Sequence, residues 1–476
     1  MKKTLSRLLS LFIAAALFRG CLTSCIKENI PSSGDRPSEG QTNQSTLYDT
    51  SGIGNGEDAA GAAPNDSDFK FPRETDKLTV YGYPLVDEAL RQAVSLFESL
   101  YPDVTVEYTN LGEAFEDRVR AEIPAGRGPD VLFGGGSILP DIYKTMSTGV
   151  FADLAPYMAN DPDYIPEDFY EEIMNGGMMF GKQYLLPVTQ HLKILVTTEE
   201  LLDGIGRSPD DLRTWAGFLD ACTAFHESRP DSALFNNLGD EYGIKQLYRS
   251  TGMRMIDYEN SAVFVDETRF REMFDLSRLF FWPGPPVELI YGNEVSDLRE
   301  NNCMFSLLGG SLLLAMNSFS FMRSEGLTPV LTAIPNAGDG FTAEIQYFAA
   351  VPEASANKLN AWRFLKVLLS EEMQADSETD EVFPVTVYPA GANPVRRSSL
   401  EKLARAYAEY YSFSVGIEEE AENFLRLMDG VTDAVMLPPI LYRYMEMEMT
   451  PYIRGERSWN DCYERFLNTL ELYASE

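Results

Sequence analysis

The sequence predicts an α/β protein of two lobes, each a mainly parallel sheet flanked by helices, with hinge strands joining them. Three observations predict it. Between Leu78 and Phe133 short apolar strands alternate with amphipathic helices, the order that yields a parallel sheet. At 476 residues the chain is longer than one hydrophobic core comfortably holds. A strand running into bare glycines occurs twice, at Val131–Gly136 and at Met304–Gly310, and in open α/β sheets ligands bind in the crevice beyond such strand ends.

The start of the chain has a different character. Lys2, Lys3 and Arg7 precede an apolar run from Leu8 to Phe18, too short to span a bilayer as a helix of about 20 residues, so residues 1–24 read as a secretory signal. Leu22-Thr23-Ser24-Cys25 resembles the lipobox of bacterial lipoproteins, and Phe18-Arg19-Gly20-Cys21 does so far less well. Cys25 is therefore the expected lipidated first residue. From Ile26 to Thr75 the composition turns to Ser, Gly, Asn, Gln, Asp and Pro without aliphatic periodicity. As a flexible coil this tether, 25–75, reaches roughly 40 Å.

Charge narrows the partners. The formal net charge is −34 and falls to about −38 once Lys2, Lys3, Arg7 and Arg19 leave with the signal. Nucleic acid is excluded as a partner, because neutralising phosphates takes clustered Lys and Arg. Cys222, Cys303 and Cys462 remain beyond the anchor without metal-type spacing and read as buried thiols with at most one bridge.

The folded part opens on a strand at Leu78-Thr79-Val80-Tyr81, a helix over Leu85 to Leu100 and a second strand at Val104 to Tyr108. Ala114, Phe115, Val119 and Ile123 then recur at three- and four-residue spacing, the apolar face of a helix. Pro124 and Gly126 end it, and Val131-Leu132-Phe133 reads as a buried strand followed by the loop Gly134-Gly135-Gly136-Ser137.

Phe97 to Val106, then Ala125-Gly126-Arg127-Gly128-Pro129-Asp130-Val131, then Gly149-Val150-Phe151-Ala152-Asp153-Leu154 resemble, in this order and spacing, the opening of family 1 extracellular solute-binding proteins, the maltose-binding-like receptors of ABC importers. The resemblance implies a two-lobe periplasmic-binding-protein-like fold of type II. It runs from about Leu78 to Tyr473 with a divergent middle. Gly181 to Thr189 is similar to the stretch before the family's first crossing between lobes, so the chain is expected to leave the first lobe near Gln190 to Lys193.

Ile194 to Thr197 reads as a strand, and Thr214 as the N-cap of a helix carrying Trp215, Phe218, Leu219 and Cys222, with Trp215 in the core. A helix over Phe270 to Phe281 breaks at Trp282-Pro283, which makes Trp282 the leading aromatic ligand candidate. Asn301-Asn302-Cys303-Met304 departs from the family's Gly-x-x-Ala-Met pattern, which puts the ligand contacts of the next loop in doubt. Ala333-Ile334-Pro335 and Glu344 to Val351 resemble the return crossing. Ser355-Ala356-Asn357-Lys358 is similar to a turn that caps a first-lobe helix, here Ala361 to Leu369. Phe383-Pro384-Val385 is the expected third crossing, Ser399 to Tyr411 an amphipathic helix, and Trp459 to Tyr473 the closing helix. The implied division is 76–190 plus 346–380 for the first lobe and 191–345 plus 381–476 for the second.

Catalytic signatures are scarce. The two histidines, His191 and His226, sit in no triad or metal pattern, and His226 reads as a surface residue; no Walker loop occurs. No cofactor or metal is expected. Carboxylates are so abundant that a glycosidase pair remains compatible with the sequence. The resemblance implies a monomeric, lipid-anchored receptor outside the cell that closes on a carbohydrate or similar polar solute and delivers it to an ABC permease. A surface glycan hydrolase and a non-transporting sensor or adhesion lipoprotein are the competing readings. Ligand candidates from the lobe edges are Tyr83, Ser137, Gln190, His191, Trp282, Gly310 and Tyr347.

Overall fold

A computed structural model describes residues 69–73, 75–136, 138–235, 240–280, 298–300, 302–307, 310, 312–375, 388 and 392–476. The expected lipidation site at Cys25, the candidates Ser137 and Trp282, and the third crossing at Phe383 to Val385 lie outside these residues.

The first βαβ units form as the pattern requires. Strand β1 (Lys77–Gly82) leads through helix α1 (Asp87–Leu100) to β2 (Thr105–Asn110), then through α2 (Phe115–Glu122) to β3 (Val131–Gly135). Both β2 and β3 pair with β1 in parallel. Ala89, Leu90, Ala93 and Phe97 of α1 recur at helical spacing and are buried. The strand β3 runs two residues further than its apolar core suggests. Gly134 and Gly135 belong to it, paired with Phe348 and Tyr347, and both must be glycine because a side chain on Gly134 would collide with Ile138 and a Cβ on Gly135 would press on the Gln346 carbonyl.

After α3 (Ile142–Ser147) the chain returns to this sheet as β4 (Leu185–Leu192) and passes directly into β5 (Ile194–Thr198), which belongs to a second sheet. Thr198 caps α4 (Glu199–Gly204), and Thr214 caps α5 (Trp215–Ser228) by accepting from Gly217 N. Trp215 is buried and donates Nε1 to Glu272 at 2.8 Å. His226, expected at the surface, is half-buried in the last turn of α5. Strand β6 (Ala233–Phe235), α6 (Asp240–Thr251), α7 (Glu267–Phe280), β7 (Cys303–Leu307), α8 (Leu312–Ser324) and β8 (Pro329–Ala333) follow. The second sheet runs β8-β5-β7-β6, with β6 parallel to β7 and β5 antiparallel to both its neighbours.

Strand β9 (Phe341–Ala350) then re-enters the first sheet between β4 and β3, antiparallel to both. Helix α9 (Lys358–Leu368), strand β10 (Asn393–Pro394), helices α10 (Arg397–Tyr410) and α11 (Ile417–Asp429), β11 (Val431–Val435), α12 (Pro439–Ile453) and α13 (Trp459–Ser475) complete the chain.

Two hydrophobic cores result. The first gathers Leu78, Phe97, Phe133, Phe348 and Trp362; the second gathers Leu195, Phe218, Phe274, Met445 and Phe466. Ile194 and Val196 point into the first and Leu195 into the second, the period of two expected of a strand buried on both faces. The stretch 381–476, expected to join the second lobe as one piece, divides. Val395 to Met436 bury into the first core, because α10 and α11 carry amphipathic faces there and β11 pairs with β9; Leu437 onward enters the second. Ordered packing also begins before residue 76, with Phe69 and Phe71 edge-on to Tyr157.

Cys222, Cys303 and Cys462 are buried and unbridged. Among the described residues no helix is long and apolar enough to cross a membrane.

Candidate functional site

The segments that matched the receptor pattern separately are tied together in space. Asp130 accepts hydrogen bonds from Thr79 N at 2.8 Å, Ser355 Oγ at 2.7 Å and Asn357 Nδ2 at 3.0 Å. One buried carboxylate thus joins the first strand, the Gly-Pro-Asp turn and the Ser-x-Asn-Lys turn. Asn357 stands at the N-cap of α9 without capping it, because its side chain is spent on Asp130.

Beyond the carboxyl end of β3, Tyr347 of β9 lies opposite Gly135, its ring stacked on Phe133 and 6.4 Å from that of Tyr83. Tyr83 N donates to the Phe133 carbonyl, and its half-buried ring meets Phe115 edge-on. Tyr347 is only 5% exposed, so Tyr83 is the ring of this pair that offers more surface.

The crossing from β4 to β5 brings the next group together. Gln190 pairs with Ile345 and turns its side chain into the first core, where Nε2 meets Met428 Sδ at 3.7 Å; it is fully buried. His191, one residue on, faces the other way. Gly310 lies against it, and a Cβ on Gly310 would stand 2.5 Å from His191 Cβ. Asn393 of β10 fixes that approach by donating Nδ2 to the Gly310 carbonyl at 2.6 Å and accepting from Leu312 N at 3.1 Å. Glycine at 310 therefore serves a close approach between a loop following the second sheet and a strand of the first.

A charged group completes this junction. Glu344 of β9 meets Arg249 of α6 at 2.9 Å and Lys193 at 3.5 Å. Burial raises the Glu344 carboxyl, but the Arg249 and Lys193 cations outweigh it and hold the group at about 2. Burial pulls His191 down to about 3, with Lys193 reinforcing it, so the imidazole is neutral at physiological pH. Burial also lowers Lys193 from the ordinary lysine value.

Among the seven sequence candidates, the structure brings Tyr83 to Tyr347 and His191 to Gly310, and turns Gln190 away from both. The sequence reading missed Lys193, Arg249, Glu344 and Asn393. Lys193 and Glu344 stand at the two crossings it located, and a charged residue at a crossing was the available signal. Arg249 and Asn393 carried none. Among the described residues no group of three or more His, Cys, Asp or Glu is placed to hold a metal.

The profile of a family described as bacterial extracellular solute-binding protein matches residues 83–375. Among solved structures, the chain is similar to the sugar-binding protein MalE of Xanthomonas citri, at 16% identity over 84% of this chain and 97% of that one, with a TM-score of 0.59. It is also similar to the cyclic α-maltosyl-1,6-maltose binding protein of Arthrobacter globiformis, at 18% identity over 85% and 99%, with a TM-score of 0.55. A family 1 extracellular solute-binding protein of Alicyclobacillus acidocaldarius shares 14% identity over 85% and 100%, with a TM-score of 0.54. At these identities the likeness concerns the fold, a two-lobe periplasmic-binding-protein-like architecture. No curated protein matches the chain.

Proposed function

Because this chain belongs to the bacterial extracellular solute-binding proteins, we propose that it captures a carbohydrate, an oligosaccharide or a similarly polar solute, by closure of its lobes and delivers it to an ABC permease. The observation that carries this reading is the junction at His191, Gly310 and Asn393, where a strand of the first sheet and a loop following the second meet under direct hydrogen bonds. Lobes so joined hinge about a common line, and a solute touching both faces shifts the population toward the closed form. Sugar-binding proteins among the similar structures support the carbohydrate assignment.

In this reading Tyr83, backed by the buried ring of Tyr347, offers an aromatic face to the apolar side of a sugar ring, and polar groups at Ser137, His191 and the Gly310 main chain meet its hydroxyls. Trp282 supplies a further platform, and Gln190 acts by holding β4 against the first core. The protein binds and releases its solute without turning it over. It works as a monomer, held outside the cell by a lipid on Cys25 and the tether that follows.

A thermal-shift screen against oligosaccharides, polyols, peptides and polyamines tests the proposal. A solute at a hundred times its Kd stabilises by about 2.7 kcal/mol, which is readily seen. Stabilisation by a saccharide is expected. Stabilisation by peptides or polyamines with none by any saccharide overturns the carbohydrate assignment.

A further inference from the structure

The charge at the junction between the lobes is unbalanced. Arg249 and Lys193 both converge on Glu344, with side-chain exposures of 15%, 12% and 16%, so one carboxylate stands between two cations. Burying charge without a full complement costs several kcal/mol, a cost that a bound counter-charge would offset. Around it, Arg249 Nε, His191 Nε2 and Gln346 Oε1 are buried and have no hydrogen-bond partner among the described residues. The neutral imidazole of His191 adds no charge of its own but supplies a polar edge.

The rest of the molecule makes this local excess informative. With a net charge of −34, the chain's overall field repels anions, so nothing at long range recruits an acidic solute. Selection for one has to be made at short range by guanidinium and ammonium groups, and a guanidinium suits planar carboxylates and sulfate oxygens. We propose that the captured solute is an acidic saccharide whose carboxylate or sulfate group lies against Arg249 and Lys193 at this junction. This rests on the saccharide reading above and adds to it the class of sugar.

Isothermal titration of the mature protein with trigalacturonic acid, a chondroitin sulfate disaccharide and maltotriose tests it, the first two separating carboxylate from sulfate. At least one acidic ligand is expected to bind about ten-fold or more tightly than maltotriose, a difference that shrinks as salt rises from about 50 to 500 mM. Arg249→Gln is expected to reduce the acidic-to-neutral affinity ratio about ten-fold, and Arg249→Lys to restore part of it. The wild-type salt dependence stands whether or not either variant folds. Maltotriose binding as tightly as both acidic ligands overturns this inference and leaves the saccharide reading in place. Binding by none of the three, with stabilisation by a non-saccharide in the screen, overturns both.

Discussion

Asp141 Oδ2 accepts the hydroxyl of Tyr258 at 2.6 Å, linking the N-cap of α3 beside the first core to a turn that packs on the second. Tyr473, near the C-terminus, donates its own hydroxyl to the same oxygen at 3.0 Å. A buried carboxylate that keeps its partners is cheap to hold and expensive to strip. Tyr258→Phe is therefore expected to cost about 1–2 kcal/mol and Asp141→Ala about 2–4 kcal/mol, read from urea denaturation midpoints. An Asp141→Ala variant as stable as the wild type would show the contact to be incidental.

Asp130 carries a comparable prediction inside the first lobe. Its removal leaves Ser355, Asn357 and Thr79 without their acceptor, so Asp130→Ala is expected to destabilise by about 2–4 kcal/mol. Since Asn357 caps nothing itself, Asn357→Ala should cost less, about 1 kcal/mol. The ratio of the two shifts in a denaturant titration checks the assignment.

Gly310 and His191 should behave as a coupled pair. Gly310→Ala forces a Cβ against His191 and is expected to weaken solute binding about ten-fold or more. His191→Gly removes the obstructing Cβ, so the double variant should bind better than the two single losses combined predict. A coupling energy of about 1 kcal/mol or more in a double-mutant cycle is the expected reading; zero coupling would separate the two residues.

The same histidine sets a pH dependence. Its folded pKa, about 3, lies below the ordinary 6.5, so below pH 6.5 the unfolded chain takes up a proton that the folded chain refuses. The stability this supplies is complete above pH 6.5 and is lost as pH falls toward 3. Lys193 and Arg249 reinforce the depression and Glu344 opposes it; Glu344 adds its own loss in the same direction only below about 4.5. His191→Gln should flatten the decline in unfolding free energy between pH 6.5 and 5 by roughly 1–2 kcal/mol, measured by denaturation at each pH. An unchanged slope would place the titration elsewhere.

At the other end of the chain, Cys25→Ala is expected to abolish incorporation of labelled fatty acid in a bacterial host and to release the protein from the membrane fraction. Labelling that persists in this variant and disappears with Cys21→Ala would move the anchor.

Much of the first lobe could be read from residue order. Leu78 to Tyr81, Thr105 to Tyr108 and Val131 to Phe133 became strands because local apolar pattern and parallel pairing agree there. The antiparallel run of β9 through the sheet was not legible in the same way. It depends on a partner more than two hundred residues upstream, and periodicity holds no information about which strands become neighbours. Gly134 and Gly135 show the limit at the site. Their bareness looked like access for a ligand, but Ile138 and the Gln346 carbonyl fill the space a side chain would take. Arg249 and Asn393 were invisible for a related reason: an isolated polar residue acquires its role only when folding brings a distant backbone or carboxylate to it.

Phe69 and Phe71 meet Tyr157 edge-on, so the described chain begins packed on the first lobe alone. Were the protein held by the proposed tether, a pull along it would enter that half and bypass the junction at His191 and Gly310.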